Sequence, residues 1–519
     1  MSDSLRIGLL LSSWEVPAWQ YRAIQQVLAL PRLSIALVVL DETLVSPASS
    51  RSFALFSRLD GKIFTTRPDP CARQSLRTLL PTTPILPAEQ LRAQALDVLV
   101  QLSPGPSPEM LLSVARLGLW VWHFGAETTG PGTPPGFWEV LQNHETTAIG
   151  LVKLGPQPGQ RQCLHRTWVA TYPFSSAMNY QLHLWTQSSF LARELARLQS
   201  LGSDVFLAAA TAMPAPPPIR QPRWYHLLQL LLQLPARVLR RKLHDWRFKE
   251  QWVLNYRFES TPSTNFASFT ELTPPIHRYW ADPHILVQDG RYAILFEDYE
   301  YASDKGRLAV IELGPSQAAL APRVILEKPW HLSYPFVFTW QNQHYMIPES
   351  GANRTIDLYQ CVAFPHQWQF KMHLMQDVRA ADATLLHHAG KWWLFATFST
   401  TAGASLNNEL YLFFADDFAT TRWTPHPQNP IVADVRHARP AGPIFQQGGR
   451  WIRPSQNSAR GYGRSIQFNE IITLTETVYQ ERALEALQPT WRDDVLGLHT
   501  YAHNHGLTVI DVLLRRARK

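Results

Sequence analysis

Five stretches in the second half of the chain each open on a short polar motif and run into alternating strand, turn and strand. This recurrence limits the possible folds more than any other feature. The motifs are Trp280-Ala281-Asp282-Pro283-His284, Ser333-Tyr334-Pro335 leading to Pro348-Glu349-Ser350, Ala381-Asp382-Ala383-Thr384, His437-Ala438-Arg439-Pro440-Ala441-Gly442, and Leu498-His499-Thr500-Tyr501. After the first of them, Ile285-Leu286-Val287, Gln288-Asp289-Gly290 and Arg291-Tyr292-Ala293-Ile294-Leu295-Phe296 read as strand, turn and strand. Repeats of roughly forty to sixty residues, each holding several short strands, are the mark of propeller blades. The innermost strands of such a fold converge on a central funnel. Asp282, Glu349, Asp382, Arg439 and His499 are therefore expected to share one cavity although they lie far apart in sequence.

With 519 residues, of which 45% are hydrophobic and 17% charged, the chain is long enough for two or three folded domains. The three cysteines are isolated and lack metal-ligand spacing, which speaks against a disulfide framework or a zinc site and fits a reducing compartment. No metal or cofactor is expected. The first apolar run, Ile7 to Leu11, is short and reads as a buried strand and not as a signal peptide, and no run is long enough to span a membrane. A cytoplasmic protein is the expectation, with a peripheral position at the inner face of the membrane as the alternative.

Residues 5 to about 210 alternate apolar runs with helical periods. Ile7 to Leu11, Ser34 to Leu40, Leu96 to Val100 and Gly118 to Trp122 are strand candidates. Gln20 to Leu30 and Pro108 to Leu117 are helix candidates, the second with Ser107 placed to cap it. This alternation predicts a parallel α/β sheet. No glycine-rich phosphate fingerprint follows the first strand. The run Gly118-Leu119-Trp120-Val121-Trp122-His123, with Phe137-Trp138-Glu139-Val140-Leu141 and Glu145-Thr146-Thr147-Ala148-Ile149-Gly150 after it, resembles the formyltransferase family. The resemblance implies a Rossmann-type α/β domain over residues 1–211. His123 matches that family's histidine, but Val121 and Gln157 stand where its asparagine and aspartate are found. Neither can orient an amine or carry its proton, so formyl transfer is not expected.

Residues 212–254 read as a proline-rich linker, Met213 to Pro218, and a basic amphipathic helix. The net charge is +7, and the stretch from Arg220 to Lys249 holds eight Lys and Arg against Asp245 alone. Such a local patch does not suit a nucleic-acid reader. Leucines from Leu227 to Leu234 beside Arg237, Arg240, Arg241 and Lys242 suit either a helix over residues 224–248 lying on an anionic membrane or a helix docked by its leucines on a domain.

From about residue 255 to the end, Tyr279-Trp280-Ala281-Asp282-Pro283-His284-Ile285, Phe296-Glu297-Asp298, Ile347-Pro348-Glu349-Ser350, Asp382-Ala383-Thr384-Leu385-Leu386 and Arg453-Pro454-Ser455-Gln456 carry a further resemblance. They resemble the N-terminal domain of glucosamine inositolphosphorylceramide transferases and, more broadly, the five-bladed propeller superfamily of furanosidases and invertases. The resemblance implies a five-bladed β-propeller over residues 255–519, with Asp282 as a first carboxylate, Asp382 as a second, and Glu349 as the candidate acid. Glu349 precedes Asp382, whereas the hydrolase pattern places its acid later. Trp280, His284, His437, Arg439, Arg453, Gln456 and His499 are the candidate substrate-binding residues.

Carboxylates combined with Arg439, Arg453, His437 and His499 suit an anionic ligand, since guanidinium forks grip phosphate. The expected ligand is a sugar or sugar phosphate, including a nucleotide sugar, and the expected activity is glycosyl transfer in glycan or glycolipid synthesis. A propeller glycoside hydrolase or phosphorylase, and a non-catalytic glycan-binding protein, are the alternatives.

Overall fold

The computed structural model describes residues 4–44, 50–103, 105–125, 133–157, 159–215, 221–314 and 318–518. Part of the expected proline-rich linker, residues 216–218, lies outside them. The chain divides into two compact units, Met1–Arg240 with Thr400–Ser405, and Arg241–Ser399 with Leu406–Lys519.

The first unit is built on a seven-stranded sheet. Its order is Leu33–Leu40, Leu5–Leu11, Val98–Gln101, Leu119–Phe124, Thr146–Leu154, Arg161–Ala170 and Thr211–Met213. Ile7, Leu9, Leu10 and Leu11 are all buried, as continuous apolar strands require when both sheet faces are covered. The first four strands in this order pair in parallel and the remainder antiparallel. The four candidate strands pair in parallel as expected, and the Rossmann-type sheet as a whole is corrected from parallel to mixed. Only six residues separate Thr146–Leu154 from Arg161–Ala170, enough to join antiparallel neighbours and too few for a parallel crossover. A helix does form at Ala18–Leu28, but Pro108 to Leu117 holds only a 3₁₀ turn, Glu109–Leu111. Ser107 does not cap it, because its hydroxyl donates to Gln101 Oε1 at 2.7 Å.

The second unit is a propeller of five sheets. The first four blades, each four-stranded, run from Arg278 to Leu326, Ser333 to Gln376, Ala380 to Pro425 and Phe445 to Leu487. The fifth combines both ends of the unit. Phe248–Phe258 pairs antiparallel with Leu507–Ala517 along its whole length, flanked by Thr270–Leu272 on one side and by Val495–Gly497 and Tyr501–Asn504 on the other. Closure of this kind leaves the ring without an open end. The propeller therefore starts at Phe248, ahead of the expected boundary at residue 255.

The same irregularity recurs in the inner strands. Pairing with the second strand slips between Ala281 and His284, between Ser333 and Phe336, and between Ala381 and Thr384. At these bulges Asp282, Tyr334 and Asp382 take φ values of 53°, 41° and 53°. The left-handed region is uncommon for residues other than glycine, and bulges that use it redirect side chains near functional sites. The fourth blade has Gly442 at this place, with φ 121°. A Cβ there would lie 2.1 Å from the Tyr501 carbonyl oxygen, so no side chain fits.

Candidate active site on the propeller axis

The bulges turn one residue from each of several blades toward the axis, and the second strands supply partners opposite them. Ala281 pairs with Glu297 and Ser333 with Glu349, so these two glutamates occupy equivalent places in blades one and two. In the fifth blade Asp511 donates its backbone N–H to the Thr500 carbonyl, placing it opposite Thr500 in the same way.

Asp282 is held on every side. Its Oδ1 accepts from the Thr500 hydroxyl at 3.0 Å and lies 3.0 Å from His499 Nε2, and its Oδ2 accepts the Tyr334 backbone N–H at 3.1 Å. His499 bridges to a second carboxylate, with Nδ1 3.0 Å from Asp511 Oδ2, close enough for ion pairing though poorly aligned for a hydrogen bond. Asp511 also accepts the backbone N–H groups of His499, Thr500 and Asp282. Arg439 joins the other two carboxylates. Its Nε donates to Asp382 Oδ2 at 2.5 Å, and its Nη2 donates to Glu349 Oε2 at 3.2 Å and to Asp382 Oδ1 at 3.2 Å. Gln456 Nε2 donates to Asp382 Oδ2 at 3.1 Å. Tyr334 spans from blade two, its hydroxyl bonded to Thr384 and accepting the Gly442 N–H.

The electrostatics separate these groups. Burial alone would lift Asp282, but His499, Arg439 and Thr500 outweigh it and hold the carboxyl below its usual range. Burial lifts Glu349; Arg439 opposes this, while Asp382 and Asp282 add to it, and the net position is well above the usual range. Glu297 is likewise pushed up, by burial and then by Asp282 and Glu349. Burial would lower His499, yet Asp511 and Asp282 raise it to about 10. One carboxyl held down and another pushed up on a single axis is the polarity that acid–base chemistry needs. Among the axial charges Glu349 and Arg439 are the most accessible, with 15% and 12% of their side chains exposed against 5% or less for Asp282, Asp382 and His499.

The position of His499 has a consequence for stability. A histidine raised in the folded state contributes fully below its ordinary value of 6.5, and that contribution disappears as the pH climbs through about 10. Urea unfolding of the wild type and of His499→Gln should therefore differ most at pH 6.5 and converge toward pH 10. A difference that grew with pH would contradict the ion triad.

The donor atoms of Asp282, His499 and Asp511 lie within 4.8 Å of one another, as a cation site would require. Ligation needs a neutral imidazole, whereas both ring nitrogens here face carboxylates that favour the charged form. The arrangement fits an ion triad and not a metal centre.

A cavity of about 610 Å³ adjoins the axial cluster. Trp252, Tyr279 and Tyr462 line it and also touch the cluster. The Trp252 ring lies 4.2 Å from that of His499, Tyr279 donates to Glu297 Oε1 at 3.3 Å, and the Arg439 guanidinium sits 5.1 Å from the Tyr462 ring centre. Arg241, Arg460 and Arg464 add positive charge to the wall.

Asp282, Glu349, Asp382, Arg439, Gln456 and His499 thus come together, while four other candidates do not. Trp280 packs in the core of blade one beside Phe296 and donates to Asp298. His284 is fully buried against Tyr334 and Phe336, and burial lowers it to about 4. Arg453 is tied to Glu481 at 2.7 and 2.8 Å and to the His437 carbonyl. His437 stands between Asp434 and Glu481 beside a separate pocket between blades three and four. The strand alternation that points Asp282 inward turns its neighbours into the blade, and blade carboxylates take up the remaining cations. Glu297, Asp511, Tyr279, Tyr462 and Trp252 were not among the candidates. The repeat of Phe296-Glu297-Asp298 and Pro348-Glu349-Ser350 at one distance from successive bulges was the signal for Glu297.

Residues 260–492 match the family model described as glucosamine inositolphosphorylceramide transferase 1, N-terminal. Proteins named glucosamine inositolphosphorylceramide transferase 1 are similar to this chain. The one from Oryza sativa subsp. japonica is 33% identical over 206 residues, 39% of this chain and 27% of its own length. The one from Arabidopsis thaliana is 31% identical over 225 residues, 43% of this chain and 29% of its own length. The chain spans under a third of these curated relatives. Among solved structures, a GH43 β-xylosidase/α-arabinofuranosidase from a compost microbial metagenome aligns with 13% identity and a TM-score of 0.36, covering 50% of this chain and 94% of that one. The catalytic domain of a Coprinopsis cinerea GH62 α-L-arabinofuranosidase aligns with 10% identity and a TM-score of 0.35, covering 51% and 96%. The five-bladed architecture itself rests on the strand pairing described above.

Proposed function

We propose that the axial cluster and its cavity form a carbohydrate-active site that transfers a glycosyl group in glycolipid assembly. The observation that carries this is the convergence of Asp282, Glu297, Glu349 and Asp382 with Arg439 and His499 beside an aromatic-walled cavity. Glycosyl chemistry needs one carboxyl that protonates a leaving oxygen and a negative charge that steadies the oxocarbenium-like transition state. Glu349, accessible and with its carboxyl raised well above the usual range, is suited to the first role. Asp282 and Asp382, fixed by hydrogen bonds and ion pairs, supply the charge. Aromatic faces such as Trp252 and Tyr462 suit a sugar ring. The names of the relatives favour a glycolipid acceptor and a transferase over a hydrolase.

Arg439, Arg453 and Arg241 are already engaged by carboxylates, so a donor phosphate falls to Arg464 on the cavity wall. One observation favours a non-catalytic glycan-binding site instead: both oxygens of Asp282 are taken by protein donors. The same reading gives the first unit no formyl transfer, since Val121 and Gln157 supply neither polar partner for His123.

Calorimetric titration with neutral sugars, sugar phosphates and nucleotide sugars tests the ligand class. Binding of a phosphate-bearing sugar, weakened by Arg464→Gln, is expected. A panel that leaves the protein silent, or binding unaffected by Tyr462→Ala, would remove the cavity from consideration.

A further inference from the structure

The helix Trp224–Arg247 carries two different apolar faces. Leu227 and Leu230 are buried on Phe137, Trp138, Val140 and Leu141, so part of the leucine run docks on the first unit. A second set lies along another side in two groups flanking Pro235, each spaced by three or four residues: Trp224, Leu228, Leu231 and Leu232, then Leu239, Leu243 and Trp246. All of these are exposed, the two tryptophans at either end by 70% and 75%. A stripe of large apolar side chains along six turns of helix is unusual on a soluble surface.

Its surroundings indicate the kind of partner. Of the basic residues here, Arg237 donates to the carbonyls of Val140 and Pro173, and Arg241 pairs with Asp245 and Glu250. Those two hold structure together. Arg240, Lys242 and Arg247 are exposed and make no ion pair among the described residues. They stand on the same exposed surface as the stripe and over its last turns, where Asp245 is the one acidic residue in the helix. Apolar groove partners among proteins do not require this excess of unpaired cations, whereas a bilayer with anionic headgroups does. Indoles at both ends suit the boundary between acyl chains and headgroups.

We propose that this helix seats the protein on an anionic lipid surface, with the leucine stripe in the acyl boundary and Arg240, Lys242 and Arg247 on lipid phosphates. Arg241 and His244, from the final turns of the same helix, line the cavity beside the axial cluster. The seated helix therefore brings the cavity wall to the headgroup layer, where a lipid acceptor would lie; this last step rests on the carbohydrate-active site proposed above.

Co-sedimentation of the full chain with vesicles of phosphatidylcholine alone, and of phosphatidylcholine with an equal amount of phosphatidylserine, tests the proposal. Recovery is expected with the mixed vesicles and to fall with added salt. Changing Arg240, Lys242 and Arg247 to Gln should weaken it by roughly fivefold per charge, about a hundredfold together. Changing Leu231, Leu232 and Leu239 to Gln should abolish it. All six positions are exposed, and unchanged thermal unfolding of both variants is expected. Equal recovery on the two vesicle types, recovery on neither, or indifference to either triple substitution would overturn the proposal. So would concentration-dependent self-association abolished by the leucine changes, which would make a second copy the partner. The sugar titration repeated on the same variants should be unaltered, so failure of the lipid surface and failure of the sugar site are read apart.

Discussion

Replacing Arg439 by methionine is expected to destabilise the propeller by about 3–5 kcal/mol, the usual result of stripping one partner from a buried ion network. Asp382, whose side chain is only 1% exposed, would keep Gln456 as its side-chain partner in place of a guanidinium fork. Glu349 would lose the one group that counters the carboxylates around it. The cost is expected to fall when Asp382→Asn is added, because the second change removes the charge left unpaired; residues in one network do not act additively. Urea unfolding of the single and double variants measures both numbers. A single variant within about 1 kcal/mol of the parent would mean that the axis is wetter than its burial indicates.

Much of this arrangement was legible in the sequence, and the limits have physical causes. Motif recurrence located the blades and the inward residues Asp282, Asp382, Arg439 and His499; Asp282 and Asp382 stand at left-handed positions of bulging inner strands, which aspartate tolerates better than most residues. Trp280 and His284 were misjudged because they flank a bulge. The slip in register sends one residue to the axis and its neighbours into the blade core, and a motif read as a unit hides that division. Arg453 and His437 carry the charge expected of ligand-binding groups, but the sequence does not reveal that Glu481 lies across the blade to take it up, beside Asp434 three residues before His437. Glu297 needed alignment of second strands between blades, and Trp252 lies on the closing strand, which draws on the opposite end of the propeller. In the first unit, the four apolar runs marked strands that pair in parallel, while the antiparallel half from Thr146–Leu154 onward was not among the strand candidates.

The helix shows the same limit at a smaller scale. Its leucines and arginines suited both membrane and domain docking, and the structure has some leucines docked and others exposed. Leu227 and Leu230 pack inward, while Leu228, Leu231 and Leu232 face out. Among the described residues no helix is long and apolar enough to cross a membrane.

Glu349→Gln is the variant on which the chemical account depends. Glutamine keeps the shape and can still accept from Arg439 Nη2, so the network should hold. Burial and the neighbouring Asp382 and Asp282 already favour the uncharged form of Glu349, so the neutral amide should leave stability unchanged or slightly improved. What it removes is the proton. Loss of a positioned general acid costs roughly 10²–10⁴ in rate, with ligand affinity kept. The raised carboxyl also sets the pH dependence: the wild-type rate should hold while Glu349 is protonated and fall as rising pH strips it. The decisive measurement is turnover of a phosphate-activated sugar donor by wild type and Glu349→Gln, beside calorimetric affinity for that donor. The account predicts a rate lower by about two orders of magnitude or more at unchanged affinity. Equal rates in the two proteins would contradict it.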